Sequence, residues 1–237
     1  MNATINLDRL AEVQAMELSK GNHKSPQHGM CVMEAVAYVA GEPWTDCPAC
    51  ASVVIATFLR NWNDALPTDA DRTRLLVPLV ADIVGTKGNA AIEKRRSYMA
   101  LDWLVREFLP AWLELTVDLQ GHAQTLRGLP EIVDSKTTQA AKVFLDAAWD
   151  AAGAAARAAA WDAAWPAAGA AAGAAARAAA GAAARAAAGD AAGSAVWDAA
   201  RAAAGDAARA HLSGTVGNLQ QSATLLVRRM IDARVAQ

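Results

Sequence analysis

Residues 149–209 read WDAAGAAARAAAWDAAWPAAGAAAGAAARAAAGAAARAAAGDAAGSAVWDAARAAAGDAAR. Every fourth residue, from Trp149 and Gly153 through to Gly205 and Arg209, is Trp, Gly or Arg. The next position is Ala, Asp, Pro or Ser. The other two are alanine, except at Val196. Alanine is the strongest helix former, so the composition predicts helix. The repeat of four does not match the 3.6 residues of a helical turn, and successive marked residues advance by about 40° around the axis. They trace a slow spiral. A coiled-coil seam needs a period of 3.5, or 3.67 for the right-handed kind.

One unbroken rod here would be roughly 90 Å long. Its seven glycines would cost about 7 kcal/mol of helix propensity relative to alanine. The expectation is therefore several shorter antiparallel helices. Pro166 is one break, because proline is disfavoured inside a helix. Gly189 to Ser194 is another, where two glycines meet two good N-caps. Alanine and glycine faces let helices approach closely. Trp149, Trp161, Trp165 and Trp197 must then supply much of the packing area. They read in two ways: as an inner anchor of this region, or as an exposed surface for self-association or a partner helix.

On the N-terminal side, short apolar-periodic segments are separated by strong punctuation. Leu7 to Leu18 stops at Gly21, Met30 to Ala40 at Gly41, and Pro48 to Asp64 at Pro67. The apolar residues of that third segment surround it, which predicts the central helix of the core. Thr68 with Asp71 opens the next helix, in the manner of a capping pair. Asn89 caps another, and Pro110 begins or kinks a further one. Gly121, Gly128 and Pro130 end the series. No alternating strand pattern is found. The fold class is all-α, with a helical domain over 1–134 and Ala-rich helices over 135–212. A C-terminal amphipathic helix over 213–237 is expected to pack on that array.

Composition bounds the function. The 237 residues carry 22 Lys plus Arg against 24 Asp plus Glu, a net charge of −2. No basic run cradles phosphate, so no nucleic-acid partner is expected. The longest uncharged stretch of the repeat, Ala163 to Ala176, falls short of the ~20 residues that span a bilayer. The N-terminus lacks a basic region followed by an apolar run. A cytoplasmic protein without a membrane partner is expected.

The chemistry-bearing stretch is His23 to Cys50, which holds all three cysteines. His28, Cys31, Cys47 and Cys50 follow the spacing H-x2-C-x15-C-x2-C, the two-knuckle zinc template with histidine in one cysteine position. His23 is the alternative histidine ligand. Zinc takes four such ligands in a tetrahedron. Buried, unreactive thiols explain the same residues, since cysteine is among the most buried types. A dithiol at Cys47 and Cys50 gains from an expected helix start that would lower its pKa, but lacks the βαβ unit such motifs accompany. Cys31 as a nucleophile, with His23 or His28 as base and Glu34 beside it, lacks an oxyanion site.

The stretch SPQHGMCVMEAVAYVAGEPWTD (25–46) and FLRNWNDALP (58–67) resemble a family of hypothetical proteins from actinobacteria and their phages. Its members often carry a similar Ala-rich W/R/G/D tail. The resemblance implies an intracellular origin and the unity of the three parts. It transfers no catalytic residue.

The reading that follows is a non-enzymatic helical binding or assembly protein, with zinc a structural option in 23–50. The alternative is a metal- or thiol-dependent enzyme using the His23–Cys50 segment. An ice-binding face is disfavoured, because the spiral of Arg and Trp spoils flatness and the repeat lacks threonine.

Overall fold

The computed structural model describes residues 4–155 and 212–233. Their regular elements are all helical, with no strand among them. The chain divides into two compact units. One comprises 1–107, 130–138 and 220–237, the other 108–129 and 139–219. The first unit therefore joins three separate stretches of the chain.

In the first unit, α1 (Leu7–Gln14) is capped by Asn6, whose side chain accepts from the Arg9 N–H. The chain then loops, with a 3-10 turn at Pro26–His28, into α2 (Val32–Val39). α3 (Val53–Ala65) is capped by Ser52. α4 (Asp69–Leu76) is capped by Thr68 accepting from the Asp71 N–H, as the sequence predicts. It continues through a 3-10 turn at Val77–Leu79 into α5 (Val80–Ile83). Gly85, at φ +74°, then reverses the chain. α6 (Ala90–Trp103) is capped by Asn89 through the Ile92 N–H. Each cap satisfies a backbone donor that the first turn leaves open.

The centre of this unit is α2 and not α3. Every α2 residue except Tyr38 is buried, including Glu34. α2 packs against α1, α3 and α5. α3 buries one face, with Ile55, Ala56, Leu59 and Asn63, while Val53 at its start is exposed. The apolar ring expected around α3 is thus a single stripe. Its first turn is also shorter than expected, because Pro48 to Ser52 forms a turn ahead of the helix.

Residues 220–233 complete this core with Ala223, Leu226, Val227 and Met230 buried. Long-range bonds hold them, including one from Arg74 Nη2 to Gln220 Oε1 at 3.4 Å. The Trp103 indole N–H donates to Ser222 Oγ at 2.7 Å. The fully buried Arg96 donates from Nε to the Met230 carbonyl at 2.8 Å and from Nη1 to the Thr86 carbonyl at 2.6 Å. Glu93 pairs with the same guanidinium at 2.9 Å. A buried guanidinium must be paired in this way, since an unpaired buried charge is costly.

A π-helical turn at Leu104–Phe108 runs from the end of the first unit's opening stretch into α7 (Leu109–Leu113) of the second. Pro110 lacks an N–H, and the widened turn before it accommodates that gap. α8 (Gln120–Arg127) packs against α7. Gly121 lies inside α8, so it does not stop the helix as expected. Arg127 and Glu114 pair in a two-pronged ion pair at 2.8 and 2.9 Å. A helix over 135–155 (α9) and another over 212–232 (α10) flank the repeat. Pro166, Gly169, Gly173, Gly189 and Gly193 lie outside the described residues, as does the expected packing of the C-terminal helix on the array. Among the described residues, no helix is long and apolar enough to cross a membrane.

Candidate functional site

The loop between α1 and α2 folds back on itself. Its ends are tied by the Ser19 N–H, which donates to the Met30 carbonyl at 2.8 Å. This closure brings Ser19, His23 and Glu34 into one hydrogen-bonded row. Ser19 Oγ lies 2.9 Å from His23 Nε2, and His23 Nδ1 lies 2.8 Å from Glu34 Oε2. Glu34 sits in the first turn of α2 and is 1% exposed. It also accepts from the His23 backbone N–H at 2.6 Å and the Cys31 N–H at 2.8 Å. A buried carboxylate so supplied with donors is tolerated where a bare one would not be.

With Glu34 accepting from Nδ1, Nε2 faces the Ser19 hydroxyl as an acceptor. That tautomer is assigned from the network. Neighbours fix the row further. The Trp44 indole N–H donates to the His23 carbonyl at 2.6 Å. Asn63, wholly buried, donates to the Ser19 carbonyl at 3.1 Å and accepts from the Val32 N–H at 3.3 Å. Gly29 adopts φ +110° and ψ 178°. A Cβ there would stand 2.6 Å from Ser19 Oγ and 3.0 Å from the His23 ring. Only glycine fits that backbone shape and that gap.

The cysteines take other roles. Cys31 is the N-cap of α2, its sulfur facing the Glu34 N–H while Glu34 answers the Cys31 N–H. Burial pushes its thiol up to about 12, which the Glu34 charge reinforces. Cys50 is buried, and burial first and then Glu42 raise its thiol. Cys47 is exposed, with Arg60 Nη1 3.1 Å from its sulfur. Desolvation and then the Asp46 hydrogen bond hold its thiol above the ordinary value. The expected helix start at Pro48 is a turn, so no helix begins at Cys47 or Cys50. All three are shifted away from the thiolate form that nucleophiles and dithiol exchangers need.

His28 is exposed and paired with Ser25 Oγ at 2.8 Å. The quartet His28, Cys31, Cys47 and Cys50 is not gathered into one donor set. Nor is it with His23, whose ring nitrogens face Ser19 and Glu34. Among the described residues, no group of three or more His, Cys, Asp or Glu side chains is placed to hold a metal ion.

Of the four tryptophans of the repeat region, Trp149 falls in the described residues, while Trp161, Trp165 and Trp197 lie outside them. On α9, Ala141 and Ala148 form the buried side, and Trp149 is 78% exposed. Val143 and Phe144 are also exposed.

Sequence reasoning missed Ser19. The spacing S-x3-H is common, and its partner Glu34 becomes visible only when the loop closes through Met30. No protein-family model, curated protein or solved structure matches this chain.

Proposed function

We propose that the protein is a helical association module whose partner is a second copy of itself, joined through α9 and the Ala-rich repeat. The exposure of Trp149 carries this reading. Covering a tryptophan removes on the order of 200 Å² from water, about 4–5 kcal/mol before the costs of association. Tryptophan is among the residues that dominate binding energies. A repeat of alanine and glycine is self-complementary, since small side chains let like helices meet closely. The net charge of −2 leaves little repulsion between copies. The resemblance to actinobacterial and phage proteins adds the unity of repeat and helical domain to this reading.

The test is light scattering over a concentration series, on the wild type and Trp149→Ala. The expected mass rises from 24.6 kDa toward twice that value. The substitution weakens the dimer roughly 30-fold or more, as loss of a dominant contact does. A wild type that stays monomeric at every concentration overturns the proposal. So does a dimer that Trp149→Ala leaves unchanged.

A further inference from the structure

We infer that Ser19, His23 and Glu34 form a nucleophilic relay that takes an acyl group from a small ester, an activity independent of the association proposed above. The geometry meets the triad test: nucleophile to base at 2.9 Å and base to carboxylate at 2.8 Å. Such a relay is recognised by geometry and roles, not by sequence order. Each member is locked. Asn63 holds the Ser19 carbonyl, Trp44 holds the His23 carbonyl, and two backbone N–H groups hold Glu34. Gly29 is the residue that leaves room for the pair of reacting atoms.

Beside the relay lies a cavity of about 260 Å³. Its wall is Gly21, Asn22, Cys31, Asp46, Arg60, Asn63 and Asp64; it meets the relay through Asn63, which holds the Ser19 carbonyl, and Cys31, whose N–H donates to Glu34. In the first step, Ser19 Oγ attacks the ester carbonyl and its proton passes to His23 Nε2. Glu34 keeps the Nδ1 hydrogen and offsets the imidazolium charge. The C–O bond to the alcohol breaks, and the alcohol leaves with the proton from Nε2. Water then repeats the sequence on the Ser19 ester and releases the acid.

A bare structural staple would show the same hydrogen bonds but no reactivity. The experiment therefore treats the full chain with a fluorophosphonate probe. The Oγ–P bond forms, the P–F bond breaks, and fluoride leaves while His23 takes the hydroxyl proton. Peptide mass mapping is expected to find one adduct per chain, on Ser19. Labelling disappears in Ser19→Ala and falls at least about 100-fold in His23→Gln, the usual share of a general base. It also disappears in urea-unfolded wild type, where the row is broken. Absence of a Ser19 adduct on the folded wild type overturns the inference, as do adducts spread over exposed serines. Equal labelling of folded and unfolded chains does the same, and it decides the matter even if His23→Gln fails to fold.

Discussion

Replacing Gly29 by alanine tests the close approach on which the His23 row depends. Two costs add. The backbone at φ +110° and ψ 178° lies in a region essentially reserved for glycine, worth roughly 1–3 kcal/mol to any other residue. The new Cβ, 2.6 Å from Ser19 Oγ and 3.0 Å from the His23 ring, must also push the hydroxyl aside. Losing that hydrogen bond costs about 1 kcal/mol more. The sum is about 2–4 kcal/mol. Gly21 is the internal control: it too has a positive φ, +85°, but a Cβ there would meet nothing within 4 Å. Gly21→Ala should cost only the backbone component, about 1–2 kcal/mol. Urea unfolding followed by circular dichroism reads both variants. With a slope of about 1–3 kcal/mol per molar urea, Gly29→Ala moves the midpoint by about 1–2 M. Equal losses in the two variants would refute the crowding argument. So would a Gly29→Ala variant as stable as the wild type.

Glu34→Ala leaves its buried donors unanswered and should cost about 3–5 kcal/mol, seen as a lower melting temperature. Thiol titration of the folded protein should find Cys47 reacting first and Cys31 only on unfolding, because burial keeps that thiol protonated. Burial opposes ionisation of Glu93, but hydrogen bonds from Ser52, Gly88 and Val54 and the Arg96 charge outweigh it, so its carboxyl ionises below the ordinary range. Arg74, through its hydrogen bond, does the same for Asp71. A depressed folded pKa gives stability that is present above the unfolded pKa and lost as pH falls through the folded one. Melting temperature should therefore drop on acidification through and below the ordinary carboxylate range, and Glu93→Gln should flatten that slope.

Features decided by a few neighbouring residues were legible in the sequence. The caps at Thr68 and Asn89 needed only local chemistry. Which helix sits at the centre was not, because that depends on what surrounds it. α3 has the longer apolar segment, yet α2 is the one enclosed by α1, α3 and α5. The spacing of the zinc template could not announce the local role of Cys31, for a related reason. Spacing places cysteines along the chain, but Cys31 begins a helix and its sulfur is turned to the Glu34 N–H. Gly121 misled because an exposed glycine inside a helix costs only about 1 kcal/mol, which packing of α8 on α7 can override. The Ser19 row required the closure through Met30, which no local pattern announces.

The bond from Arg96 to the Met230 carbonyl has a consequence for synthesis. Its two partners stand 134 positions apart. A chain emerging from the ribosome exposes the α6 guanidinium, with its acceptor still unmade, while the whole alanine-rich stretch is translated. The first unit therefore closes late, and folding waits on the final helix rather than proceeding from the N-terminus alone. Premature termination anywhere in the repeat would release a chain with an incomplete core, which is a ready substrate for quality-control proteases.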